Sequence, residues 1–144
     1  MMVMEVWWRG KLYWKSPPLP YDLDDLEGAI RWVREFHALV AAAGRLARFQ
    51  DAQRHFMRIA SRRRGSPNAQ GAAGVAIHFK KALASASRDA RALTKVLGAR
   101  PASVALRLGR SLARRRGDGH YRVVHVQSGV PFMRPVINLP TLDI

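Results

Sequence analysis

Residues 24–62 read DDLEGAIRWVREFHALVAAAGRLARFQDAQRHFMRIASR, and this stretch decides the fold. Asp24 and Glu27 have the spacing of a capping box, in which two side chains satisfy backbone N–H groups at the start of a helix. Apolar residues, with one histidine among them, then recur at the period of a helix with one buried face: Leu26, Ile30, Val33, His37, Val40, Leu46, Phe49, Phe56 and Ile59. The pattern predicts one long helix, with Gly44 and Phe49 as the candidate positions of a break.

A second helix is predicted after residues 62–74, a Gly-, Ser-, Pro- and Arg-rich stretch that is typical of a loop. One apolar stripe follows and ends at Gly98, a common residue at the end of a helix: Val75, Phe79, Leu83, Ala86, Ala90, Leu93 and Leu97. We expect the two helices to pair as an antiparallel hairpin.

Residues 71–74, GAAG, are similar to the nucleotide-clamping loop of KH domains, although a Gly-rich helix start explains them more simply.

Two apolar, Trp-rich runs lie on either side of Arg9-Gly10 within residues 3–14. This arrangement predicts a β-hairpin or an extended arm that carries Trp7, Trp8 and Trp14. Large exposed rings are expected to dock on a partner, whereas buried rings would cover the protein's own core. The sequence leaves both interpretations open.

The C-terminal third has weaker signals. Pro101 is well placed to begin a third, shorter helix, since proline is favoured in the first helical turn. Residues 117–119, GDG, predict a turn into residues 121–127, which are rich in β-branched side chains and are typical of a strand. Prolines at 131, 135 and 140 then indicate an extended tail.

The charge of the chain is strongly positive and unevenly distributed. Of its 144 residues, 25 are Lys or Arg and 10 are Asp or Glu, a formal net charge of +15. Residues 1–35 hold 5 basic and 6 acidic residues, while residues 36–144 hold 20 and 4. Twenty of the basic residues are arginines, whose planar guanidinium groups pair bidentately with phosphate. A polyphosphate partner is therefore expected, and RNA is the favoured one.

Several basic residues fall into ridges or clusters. Two sets have the i, i+3, i+7 spacing that places side chains on one helical face, and only Asp89 interrupts them. Two further clusters lie beside glycines, where a mobile backbone lets guanidinium groups reach phosphates. The predicted RNA-binding residues are Arg62, Arg63, Arg64, Lys80, Lys81, Arg88, Arg91, Lys95, Arg107, Arg110, Arg114, Arg115 and Arg116.

Several classes of protein are disfavoured by what the sequence lacks. There is no cysteine, which excludes disulfides, thiolate zinc sites and iron–sulfur clusters. The five histidines have no short metal-ligand spacing, and neither a nucleophile elbow nor a phosphate loop is present. No apolar run approaches the ~20 residues of a membrane-spanning helix, so no membrane association is expected. Residues 1–15 do not resemble a secretory signal, although a cleaved organellar presequence could already be absent.

Blocks along the whole chain resemble the iron and manganese superoxide dismutases. Residues 17–30, PPLPYDLDDLEGAI, are similar to the start of that family, and residues 72–78, AAGVAIH, to its second-helix segment that ends in a metal-binding histidine. Leu97-Gly98 falls where the family has Phe-Gly. Residues 118–124, 131–133 and 139–144 resemble the sheet segments that lead to its metal-binding aspartate.

The resemblance implies a metal site that this chain does not complete. The family holds its metal with three His and one Asp; His78 and Asp143 match two ligands, and His37 lies one residue from a third. The fourth would fall four residues after Asp143, whereas the sequence ends at Ile144. Lys80, Lys81 and Ala82 replace the family's aromatic shell. We therefore expect no cofactor, no catalysis, and only vestigial metal positions.

The expected fold class is α+β, with an N-terminal antiparallel helical hairpin followed by a small, truncated α/β part that contains an antiparallel hairpin. The resemblance further implies a first strand over about residues 111–116. The expected division is a Trp-rich arm over residues 1–16, a helical hairpin region over 17–98, and a small α/β region with an extended tail over 99–144.

Noncatalytic relatives of the dismutases are structural proteins of mitochondrial ribosomes. The resemblance and the charge together imply a mitochondrial ribosomal protein, of the small subunit, that binds rRNA and neighbouring ribosomal proteins, with a second dismutase-like subunit as one candidate neighbour. Two alternatives stay open. One is an accessory structural subunit of another organellar complex such as a respiratory assembly, and the other is a divergent superoxide dismutase.

Overall fold

Three helices and one antiparallel sheet make up the described part of the chain. The computed structural model describes residues 2–19, 25–62, 65, 67–114, 120–127 and 137–138. The α+β class is confirmed, but two strands precede the helices, so the helical hairpin does not stand at the N terminus as expected. The elements are β1 (Met2–Trp8), β2 (Lys11–Lys15), α1 (Leu26–Arg62), α2 (Pro67–Leu97), α3 (Ala99–Arg114), β3 (Tyr121–Gln127) and β4 (Ile137–Asn138).

The strand β1 lies inside the sheet, whose order is β2-β1-β3-β4. Arg9 and Gly10 both have positive φ, 57° and 72°, as a two-residue turn of the primed type requires, and the predicted β-hairpin is confirmed. β1 then pairs along its length with β3, where Val6 lies opposite Val123 and both are fully buried. The first strand therefore covers the protein's own core.

The helix α1 begins one residue later than the predicted capping box requires. Asp25 is its N-cap, because the Gly28 N–H donates to Asp25 Oδ1 at 3.0 Å and the Ala29 N–H donates to the Asp25 carbonyl at 3.2 Å. Asp24 lies outside the described residues.

The expected break in α1 is wrong, since the helix continues through all 37 residues. Gly44 is buried where α3 crosses α1: a Cβ built on Gly109 would lie 3.1 Å from the Gly44 nitrogen and 2.3 Å from the Val40 carbonyl oxygen. Gly109 of α3 thus permits close packing against α1 at Gly44, and α1 continues through Gly44 without interruption.

The helix α2 begins at Pro67, so the predicted loop over residues 62–74 is too long. Proline suits the first helical position, where its missing N–H would have no helical acceptor. Residues 71–74 lie within the helix, and the comparison with a KH loop is therefore wrong. Each of its two glycines weakens a helix by only about 0.5–1 kcal/mol relative to alanine, and nearby alanines pack against α1.

The pairing of α1 with α2 follows a seven-residue repeat on both helices. The spacing alternates between three and four residues, which is the signature of coiled-coil packing. Phe79 of α2 contacts Phe49 and Phe56 of α1, with ring centroids 5.8 and 6.0 Å apart. The series on α1 is Leu39, Ala42, Leu46, Phe49, Gln53, Phe56 and Ala60; that on α2 is Ala69, Ala72, Ala76, Phe79, Leu83, Ala86, Ala90, Leu93 and Leu97. Val75, which we predicted in the stripe, is 38% exposed instead.

The helix α3 follows α2 after the single residue Gly98, whose φ of +92° ends α2. Residues 111–114 are helical, so the strand implied there by the dismutase resemblance is wrong for these residues. Leu108 and Leu112 bury against the core because the apolar period of this segment is that of a helix.

The main core lies between β1, β3, α3 and the first half of α1. Trp32 stacks on Phe36 at 5.3 Å, and Phe36 meets the ring of Tyr121 edge-on at 6.3 Å. Residues beyond Leu46 on α1 lie outside this core and pack mainly on α2. Among the described residues, no helix combines the length and apolarity needed to cross a bilayer.

Candidate nucleic-acid interface

Every described Lys and Arg side chain is exposed. Of the 25 basic residues, five lie outside the described residues, and the remaining 20 are all on the surface. Six of the ten carboxylates are described. The predicted residues Arg63, Arg64, Arg115 and Arg116 lie outside the described part of the chain.

The α2 ridge consists of Lys81, Arg88 and Lys95, which follow one another at intervals of seven residues and are exposed. Seven residues are two helical turns, so their backbone positions lie about 10.5 Å apart along the helix. All three lie on the side of α2 opposite its apolar series. Arg91 and Lys80, also predicted, are exposed nearer to the helix pair.

The α3 ridge consists of Arg100, Arg107, Arg110 and Arg114. The buried side of α3 packs on α1, and these four side chains lie on the outer side because of their three- and seven-residue spacing. Three of them were predicted. Arg100 was missed, although it precedes Arg107 by the same seven residues that separate Arg107 from Arg114.

The α1 ridge consists of Arg54, Arg58 and Arg62, exposed at successive four-residue intervals. The Arg58 Nε–H donates to the Arg54 carbonyl at 3.4 Å, which holds its aliphatic stem along the helix. Only Arg62 was predicted. The i, i+4, i+8 spacing of the three arginines is visible in the sequence and could have identified the other two.

The α1 and α3 ridges meet at Gln50. This residue lies one turn before Arg54 and lines a cavity of about 180 Å³ together with Leu106 and Arg110 of α3. Arg110 therefore lies next to the start of the α1 ridge, and the two ridges form one basic tract.

The ridge cations are not neutralised within the described part of the chain. None of the residues in the three ridges forms an ion pair with a described carboxylate. Asp51 and Asp89 are the nearest acidic residues in sequence on α1 and α2. The positive potential is thus available to an external polyanion.

A second group of basic residues surrounds the turn between β1 and β2. A cavity of about 400 Å³ is lined by Trp7, Arg9, Gly10, His120, Tyr121 and Arg122. Trp7 is half-buried and its indole N–H donates to Glu5 Oε1 at 3.3 Å. The Arg9 guanidinium also lies 4.8 Å from the ring centre of Trp8. The sequence analysis assigned the tryptophans no role in RNA binding. Arg122 lies 115 residues after Trp7, so no local pattern in the sequence places the two side chains together.

The two described vestigial metal positions, His37 and His78, are not brought together. His37 is buried and hydrogen-bonded to Tyr121 through Nδ1, whereas His78 is exposed beside Phe79. Phe79 contacts Phe49, which lies 12 residues beyond His37 on α1, so the two histidines are separated by about 18 Å along the helix. Asp143 lies outside the described residues. Within the described ranges, no three His, Cys, Asp or Glu residues could jointly hold a metal ion.

The resemblance to the dismutases therefore rests on blocks of sequence. The helical residues 111–114 and the separation of His37 from His78 depart from what it implies. Comparison with protein-family models, with curated proteins and with solved structures finds no match to this chain.

Proposed function

We propose that this protein is a noncatalytic structural component of an RNA–protein assembly and binds rRNA through its helical basic ridges. The observation that carries the proposal is the set of arginine and lysine ridges on α1, α2 and α3, which face outward and form no ion pair with any of the six described carboxylates. Such spacing suits contacts to a phosphate backbone, which position a protein on RNA without reading its sequence.

The assembly that we propose is the small subunit of a mitochondrial ribosome. The sequence blocks similar to the dismutases support this choice, together with the separation of His37 from His78. Neighbouring ribosomal proteins would contact the surfaces that RNA leaves uncovered. The exposed apolar residues Met57, Ile77 and Val96, which are 55–63% exposed, suit such contacts.

Salt dependence tests the RNA-binding part. Binding of the purified protein to rRNA fragments is measured by fluorescence anisotropy over a range of KCl concentrations. Release of counterions from phosphates lowers the logarithm of the association constant by about 0.7–0.9 for each contacted phosphate per tenfold increase in salt. We expect a slope that reflects several contacts. Binding with no salt dependence, or no binding, contradicts the proposal.

Sedimentation tests the assembly. The tagged protein in a mitochondrial extract should migrate with the small ribosomal subunit and should leave that fraction after ribonuclease digestion. A protein that stays in a large complex after digestion is instead a subunit of another organellar assembly. Stoichiometric iron or manganese with superoxide-consuming activity would identify a divergent dismutase.

A further inference from the structure

We propose that the cavity beside the turn between β1 and β2 binds one unpaired nucleotide of the RNA, with its base on Trp7 and its phosphate on Arg122. This inference rests on the proposed function and adds the kind of RNA that is recognised. The ridges on the helices contact phosphates on any strand, whereas this cavity takes a base that is not stacked in a duplex.

The sheet brings Trp7 and Arg122 together. They are direct partners in the antiparallel pairing of β1 with β3, so their side chains leave the same face of the sheet about 5 Å apart at Cβ. The neighbouring pair, Val6 and Val123, is fully buried on the opposite face. Trp7 and Arg122 therefore point away from the core.

The ring of Trp7 is oriented before any ligand arrives. Its indole N–H donates to Glu5 Oε1, two residues away on the same face of β1, so the polar edge of the ring already has an acceptor. Trp7 is half-buried and lines the cavity, so part of its surface is open to a ligand. Aromatic rings of this kind stack on bases of any identity, which contributes about 1–3 kcal/mol per base.

Arg122 supplies the cation for the phosphate, because it is exposed and lines the cavity beside Trp7. None of the described lining residues is a carboxylate. A cavity of about 400 Å³ is within the usual size of sites for small molecules. A flat ring beside the guanidinium group of Arg122 matches the base and the phosphate of a nucleotide.

Fluorescence anisotropy with two RNA probes tests the inference. The probes are labelled oligouridylate, which is unpaired, and a fully paired RNA duplex with the same number of phosphates. We expect Trp7→Ala to weaken binding to oligouridylate by about tenfold, the loss of one base stack, and to change duplex binding by less than about twofold. Trp7→Phe should retain most of the affinity because phenylalanine also stacks.

Arg122→Gln and Arg31→Gln form a matched pair, because both arginines are exposed and each change removes one positive charge. Arg31 lies on α1 outside this cavity. Arg122→Gln should weaken oligouridylate binding several-fold more than Arg31→Gln does, and thermal unfolding of each variant checks that it folds. If Trp7→Ala and Arg122→Gln bind both probes as Arg31→Gln does, this inference is overturned and the proposed function stands. If the unmodified protein binds neither probe, both are overturned.

Discussion

The hydroxyl group of Tyr121 on β3 is hydrogen-bonded to Nδ1 of His37 on α1, and this bond joins two residues 84 positions apart. Both side chains are buried, with 2% and 6% of their surface exposed. Burial raises the pKa of Tyr121 well above its ordinary value, so its phenol stays protonated and able to share a hydrogen bond with Nδ1. The bond therefore ties the sheet to the long helix inside the core.

Replacing Tyr121 by phenylalanine should destabilise the protein by about 1–3 kcal/mol, since Nδ1 of His37 would stay buried without its hydrogen-bond partner. Urea unfolding followed by circular dichroism measures this change. Tyr13→Phe is the matched control: Tyr13 is half-buried and packs against the ring of Trp8. Equal effects of the two variants would argue against a stabilising bond at Tyr121.

Alkaline pH should destabilise the protein through the same phenol. The pKa of Tyr121 is raised above 10.0 in the folded state, so above that pH the unfolded chain releases a proton that the folded chain keeps. The free energy of unfolding should then fall by about 1.4 kcal/mol per pH unit above about pH 10. Tyr121→Phe should lack this contribution. Parallel urea titrations of the two proteins from pH 8 to 11 give the difference, and identical pH profiles would contradict it.

Gly109→Ala should destabilise the protein by about 1–3 kcal/mol, because the added methyl group overpacks the contact between α1 and α3. Its Cβ would lie 2.3 Å from the Val40 carbonyl oxygen and 2.6 Å from the Ala43 Cβ.

Gly71→Ala and Gly74→Ala are the controls for this change. Both glycines lie in α2, and a Cβ at either position would meet nothing within 4 Å. Helix propensity alone should make each control more stable by about 0.5–1 kcal/mol. Thermal unfolding distinguishes the opposite signs. A stabilising Gly109→Ala would refute the close crossing of α3 over α1.

Phe79→Ala should loosen the far half of the helical hairpin while the main core stays folded. Phe79 contacts both Phe49 and Phe56, and these three rings lie outside the main core. Amide hydrogen exchange should rise in residues 49–62 and 67–80, where local opening requires less free energy. Exchange in β1 and β3 should be unchanged. A uniform rise over the whole chain would show that the hairpin and the core unfold as one unit.

Removing the α3 ridge should reduce both the affinity for RNA and its salt dependence. The triple variant Arg107→Gln, Arg110→Gln and Arg114→Gln should lower the slope of log affinity against log salt by about 2–3, if each arginine meets one phosphate. A variant with Lys15, Arg31 and Arg34 changed to glutamine removes the same charge from other surfaces. Equal slopes for the two variants would indicate that net charge, and not the ridge, controls binding.

Much of the fold follows from local sequence. The apolar periods of residues 26–62 and 75–97 predict α1 and α2, and the Trp-rich runs around Arg9-Gly10 predict the first hairpin. These predictions succeed because helical period and turn type depend on neighbouring residues. Three details were predicted wrongly. The helix cap is Asp25 and not Asp24, α2 begins at Pro67 and not after residue 74, and α1 continues through Gly44 without a break. In each case the sequence permits two local solutions, and packing against another element selects one.

The candidate site is also predictable only in part from local sequence. The ridge over Arg107, Arg110 and Arg114 is predictable, since side chains three and seven residues apart share a helical face. The continuation of that ridge onto α1 depends on Arg110 and Gln50, which lies 60 residues earlier, lining the same cavity. The cavity between Trp7 and Arg122 depends on the pairing of the first strand with the third.

The sequence by itself determined the three helices, a break between the two Trp-rich runs at Arg9-Gly10 and the excess of arginine after residue 35, because these are properties of composition and of spacing along the chain. Only the tertiary structure decided that β1 pairs with β3 and that α3 packs against α1 at Gly44. It also decided that His37 is hydrogen-bonded to Tyr121 in the core, whereas His78 is exposed. Such contacts join residues far apart in the chain. Their selection depends on how apolar faces are buried together, which no local pattern specifies.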